Sequence, residues 1–302
     1  MRISPLPLDV SSILNLISLM PFKFTGFTDE AEKTLEAQIS TLREVGWSAI
    51  ELRLIDGKNI CDQTDDEWQR SRNLLQADNI EVVGFGGQIG NWARPITTDF
   101  QVDLDEIRRV APRMRETGTK FLRIMSYPND ETSPLAVDAW KTEVFRRLKE
   151  LTTIAEGEDI ILAHENCNGY GATAEGYLEM VEAVGSPALQ LIIDTGNNSL
   201  HDNDVEVTWN YYKTCRKEIT HVHVKCAKPG EDGSYVTCHV DEDPVQRRIF
   251  ADLEATGYDG WLSIEPHIKA AIHAGQDVDD SGEARVVWVE FARRLEQLVA
   301  EI

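Results

Sequence analysis

Four polar side chains close short apolar runs in this chain. They are Glu165 in "ILAHE", Asp194 in "LQLIID", His223 in "THVHVK" and Glu265 in "GWLSIEP". The first three lie 29 residues apart in turn, and 42 residues separate the third from the fourth. Carboxylate and imidazole donors without a thiolate suit a hard or borderline divalent cation: Mn²⁺ foremost, with Mg²⁺, Co²⁺ or Zn²⁺ as alternatives. Three carboxylates drawn together repel one another, and a cation is their natural neutraliser. That chemistry requires the four residues to stand at one height on neighbouring strands.

The surrounding pattern provides such strands. Apolar runs at 22–28, 49–53, 81–86, 120–126, 159–165, 189–194, 220–225 and 260–266 alternate with helical periodicity. Helices are expected over 34–46 and 134–157, both ending in glycine, and over 283–300. Strict βα alternation implies parallel strands, because each return needs a crossover. Eight units predict an α/β fold, a single-domain (β/α)8 TIM barrel over residues 21–302, with its active site where the strands end. The 29-residue spacings match one βα repeat. The third interval carries a long insertion, 226–244, after the seventh strand. A doubly wound open sheet is disfavoured, since no GxGxxG follows the first strand, and "GFGGQIG" (84–90) reads as a loop.

The chain of 302 residues has 30 Lys+Arg against 52 Asp+Glu, a net charge of −22. This acidity repels phosphate backbones and anionic membranes, so neither nucleic acid nor membrane is expected as a partner. Five cysteines without CxxC spacing speak against a disulfide framework and for a reducing, cytoplasmic setting. Residues 1–20 are mildly apolar but interrupted by Asp9 and two prolines. They read as an N-terminal extension before Met20 rather than a signal peptide.

The segments "HENCNGYG", "IIDTGN", "HVHVK" and "LSIEPH" together resemble the strand-end motifs of the xylose isomerase-like TIM-barrel superfamily. This is the sugar phosphate isomerase/epimerase group, which includes ketose 3-epimerases, inosose dehydratases and endonuclease IV. The resemblance spans about residues 22–300 and implies one divalent metal ion on Glu165, Asp194, His223 and Glu265. It further implies that Glu165 and Glu265 transfer the proton, as the two glutamates do in ketose 3-epimerases. One departure is Asn197, where epimerases and endonuclease IV usually carry histidine. The loop at 84–90 also lacks a histidine of the kind that completes a three-zinc cluster, which argues against DNA repair.

Strand alternation assigns the neighbours. His221, His223 and Lys225 share a face, with His221 one layer deeper and Lys225 at the rim, solvated or bound to a substrate hydroxyl or phosphate. Glu51 and Arg53 at the end of the second strand, and Arg123 in the fourth, are candidate substrate contacts. So are Trp92, Asn197 and His267. His164 should face the helices by parity. A strand broken at that point would instead turn it into the mouth as a catalytic base, favouring a lyase.

The function expected is a metal-dependent sugar isomerase or epimerase working through an enediolate. The same enolate could expel a β-substituent, giving a keto-sugar or inosose lyase, C-glycoside deglycosylase type included. A non-catalytic sugar-binding or assembly subunit is the third option. The expected partner is a sugar or keto-sugar, most simply a non-phosphorylated one. A homo-oligomer is expected from the resemblance, or a hetero-oligomer with a small subunit for a deglycosylase-type lyase.

Overall fold

The computed structural model describes residues 22–268 and 282–302. The extension expected over 1–20 lies outside them. Eight strands form one ladder: β1 (Lys23–Gly26), β2 (Ala49–Leu52), β3 (Glu81–Phe85), β4 (Phe121–Ser126), β5 (Ile161–Gly169), β6 (Leu189–Asp194), β7 (Ile219–Val224) and β8 (Trp261–Ile264). The order is β1-β8-β7-β6-β5-β4-β3-β2, all pairs are parallel, and β1 lies against β2, so the sheet curls into a nearly closed barrel. All eight expected strands are present.

Nine described helices follow: α1 (Leu35–Val45), α2 (Asp65–Ala77), α3 (Gln101–Thr117), α4 (Val137–Glu158), α5 (Ala174–Val184), α6 (Asn197–Asp202), α7 (Val205–Cys215), α8 (Pro244–Ala255) and α9 (Glu283–Ala300). Their ends follow local chemistry. Thr34 caps α1 by accepting from Ala37 N, and Gly46 ends it in the left-handed region. Thr64 and Glu67 form a reciprocal capping box at the start of α2. Asp243 caps α8, whose first residue is Pro244.

Ile50, Leu122, Leu162, Leu191, Ile193, Val222 and Leu262 are fully buried strand residues in the apolar core. Burial on both sheet faces is what a parallel barrel covered by helices demands. The 226–244 insertion forms a short antiparallel ribbon, Ala227–Pro229 with Tyr235–Thr237. All five cysteines are free, and no described helix is long and apolar enough to cross a membrane.

Candidate active site

The mouth of the barrel holds a cavity of about 490 Å³ lined by Arg53, Trp92, Arg123, Glu165, Asn197, Lys225, Glu265 and His267, among others. These are eight of the residues singled out from sequence. Asp194 and His223 are completely buried beside it. Each of Glu165, Asp194, His223 and Glu265 offers one donor atom, and these atoms lie within 4.8 Å of one another.

Each member of the group is hydrogen-bonded on one side and directs the other toward its neighbours in the group. Asp194 ends β6, and its Oδ1 accepts from the backbone N–H groups of Gly196 and Asn197, both at 2.8 Å. Asn166 fixes Asp194 further, donating to its carbonyl at 3.0 Å and accepting from its N–H at 2.6 Å. Glu165 Oε1 accepts from Asn197 Nδ2 at 3.1 Å. Glu265 Oε1 accepts from Arg53 Nη1 at 2.5 Å. The opposite atoms, Glu165 Oε2, Asp194 Oδ2, His223 Nδ1 and Glu265 Oε2, are buried with no hydrogen bond among the described residues. Buried polar atoms rarely lack a hydrogen bond. Three carboxylates, with Arg123 and Lys225 as their nearby cations, and an imidazole offer a donor set that fits a divalent cation.

Glu51 was expected at the mouth as a substrate contact, and the structure corrects that placement. It is buried one layer down, facing His221 Nε2 at 2.9 Å and His223 Nε2 at 3.1 Å, with Ser263 Oγ donating at 2.7 Å. A register shift between Ile50 and Glu51 accompanies this descent. Glu51 therefore orients His223 so that Nδ1 faces the carboxylates, as a carboxylate behind a ligating histidine does. His221 lies in the deeper layer, as strand parity indicates.

His164 does not reach the mouth. It is fully buried on the helix side, its ring 5.5 Å from that of Tyr177, and a Cβ on Gly171 would stand 2.6 Å from its Cε1. Glycine at 171 thus makes room for the imidazole. Gly169, with φ of +82°, makes the turn. Burial in this apolar pocket lowers the His164 pKa to about 4 against the pull of Glu165. Neither ring nitrogen has a hydrogen-bond partner among the described residues, so the expected catalytic base is a packed, neutral histidine.

Two acids were missed from sequence. Asp29 and Glu30 follow β1 in a 3₁₀ turn, Thr28–Glu30. Asp29 meets Arg53 in a fork at 2.8 and 3.1 Å, and Glu30 meets Arg53 Nη2 at 3.2 Å. Glu30 also accepts from His267 N at 2.9 Å and faces His267 Nε2 at 3.0 Å, holding that residue at φ +51°. The strand-end rule that found the other acids points to "TDE" after strand 1 as well.

The charges around the cavity are unequal. Asp29, Glu30, Glu51, Glu165, Asp194 and Glu265 are buried, against Arg53, Arg123 and Lys225. Burial pushes Glu165 upward, but Arg123, 3.4 Å away, and His223 outweigh it and hold the carboxyl at about 2. Glu265 behaves alike: Lys225, His267 and Arg53 overcome burial and keep it well below the usual range. His223 is driven the other way. Burial disfavours its charge, yet Glu51 and Glu165 raise its pKa to about 10. Glu30 and Glu265 likewise outweigh burial and Lys225 to lift His267 to about 9. The acid excess thus holds protons on His223 and His267, and a cation bound at His223 would displace the proton from Nδ1.

A family model described as a xylose isomerase-like TIM barrel matches residues 39–285. The chain belongs to that family. Among solved structures, a family protein from Mycobacterium smegmatis in complex with magnesium is similar with a TM-score of 0.68. Its identity is 14%, and the match covers 94% of this chain and 98% of that one. The probable 3-DHS dehydratase AsbF of Bacillus anthracis follows at TM-score 0.65 and 16% identity, over 89% and 97% of the two chains. A D-psicose 3-epimerase studied in the presence of D-fructose gives 0.64 and 16%, over 91% and 96%. No curated protein sequence matches the chain. At such identities the likeness speaks for the shared barrel.

Proposed function

We propose that this family member is a divalent-metal-dependent sugar isomerase or epimerase that moves a proton on the carbon beside a carbonyl. The observation that carries the reading is the buried group Glu165, Asp194, His223 and Glu265, each offering one ligand atom within 4.8 Å of the others. These residues would hold the ion, Mn²⁺ foremost. A bound divalent cation supplies Lewis-acid stabilisation of charge developing on the substrate's carbonyl oxygen.

The chain's own residues supply the rest. Glu165 and Glu265 are both ionised at neutral pH, so Glu165 can take the carbon-bound proton, while Glu265 returns one only after receiving it from the protonated His267 ring, 3.2 Å away. Arg53 and Arg123 fix the two carboxylates, and each guanidinium also sits over the Phe27 ring, at 4.4 and 5.4 Å. Trp92, 46% exposed at the rim, gives an apolar wall to a sugar face. His267, Lys225 and Asn197 provide hydrogen-bonding groups for hydroxyls. The psicose epimerase among the structural relatives accords with such a substrate.

Elimination from the same enolate, the lyase alternative, drew its sequence support from His164, which packs against the helices instead. The isomerase or epimerase reading therefore stands first. The test is turnover of a panel of ketoses, inososes and 3-keto-glucosides by the chelator-stripped protein, before and after Mn²⁺ addition. An isomeric product that appears only with metal is expected. A dehydrated product would install the lyase, and turnover indifferent to metal would remove the metal from the account.

A further inference from the structure

Lys225 occupies an unusual place in the metal-binding group. It follows β7 and is 3% exposed. Its Nζ stands 3.1 Å from Asp194 Oδ2 and 3.1 Å from Glu265 Oε2. The same ammonium also donates to Asn197 Oδ1 at 3.0 Å. Lysine and metal ion thus claim the same two oxygens.

We propose that Lys225 is a built-in counter-cation that steadies the acid group before loading and is pushed aside by the incoming metal ion. The inference rests on the metal-dependent reading above. Two like charges sharing a pair of carboxylate oxygens repel most strongly where water is excluded. The lysine stem is flexible and its three donors rotate, so the ammonium can move and keep its charge. Its landing place is already built. Asn197 Oδ1 accepts from it now, and both residues line the 490 Å³ cavity. Turned that way, the ammonium meets a substrate oxygen. Lys225 in this role lowers metal affinity while making the unloaded site tolerable to the fold.

The experiment is calorimetric titration of the chelator-stripped full-length protein with Mn²⁺, comparing wild type, Lys225→Met and Lys120→Met. Lys120 pairs with Asp159 at 2.7 Å at the opposite end of β4, and its replacement controls for net charge. Removing a competing buried cation should tighten Mn²⁺ binding by Lys225→Met at least about tenfold, with Lys120→Met unchanged. Metal-free Lys225→Met should also melt below wild type, because two buried carboxylates lose their counter-charge, and saturating Mn²⁺ should close that gap. Lys225→Gln, equally neutral, takes the place of the Met variant should the latter misfold. Wild type binding Mn²⁺ while the neutral variants bind it equally or more weakly would overturn this inference alone. Wild type and variants all failing to bind Mn²⁺, Mg²⁺, Co²⁺ or Zn²⁺ would overturn the metal reading, and the inference with it.

Discussion

His223 turns Nε2 toward Glu51 at 3.1 Å, and that single contact leaves Nδ1 facing the carboxylates of Glu165 and Glu265 at 3.6 and 3.9 Å. The orientation of the His223 ring is thus set one layer beneath the site. Glu51 itself is held well below the ordinary carboxylate range, because His223 and His221 outweigh its burial.

Glu51→Gln should therefore weaken Mn²⁺ binding by roughly 10–100-fold, the usual effect of losing a partner behind a metal-ligating histidine. Calorimetry on the stripped protein measures it. Unchanged affinity would mean that His223 needs no such support.

His164 supplies a pH prediction that involves no turnover. Its folded pKa of about 4 lies below the ordinary histidine value of 6.5, so between these limits the unfolded chain binds the extra proton. Stability is then lost as pH falls from about 6.5 toward 4, by up to about 3 kcal/mol from this group. His164→Leu removes that part, so urea unfolding at pH 7 and pH 5 should show a smaller acid loss than wild type. Metal-dependent turnover in this variant should stay near normal. Equal acid sensitivity, or abolished turnover, would contradict the helix-side placement.

Asp29 makes a stability prediction. It forks Arg53 and accepts from Leu54 N at 3.1 Å, all buried. Removing one partner of such a pair costs about 3–5 kcal/mol. Asp29→Ala should fall toward the lower figure, because Glu30 and Glu265 still face Arg53. Denaturant unfolding checks this, and a loss under about 0.5 kcal/mol would show that Arg53 needs no fork.

Much of this was legible in the sequence, for reasons visible at particular residues. The βα period placed Glu165, Asp194, His223 and Glu265 at one height, because parallel strands in a barrel share their ends. Parity alone put His164 on the helix side and His221 one layer down. Depth was harder to read. Glu51 shares parity with Arg53 but precedes it by two residues, which sets it one layer beneath the mouth, where two histidines meet it. Asp29 and Glu30 escaped because their roles arise from partners far along the chain, Arg53 and His267, which only folding brings near. Lys225 read as a rim residue. Its burial among carboxylates depends on their convergence, which no single strand displays.

The most direct test of the central claim is deuterium wash-in, followed by NMR, for Mn²⁺-loaded wild type and Glu165→Gln with ketoses, inososes and 3-keto-glucosides in D₂O. The account predicts label on the carbon beside the carbonyl with wild type and none with Glu165→Gln. No label with any of these substrates, or wild-type exchange by Glu165→Gln, would contradict it.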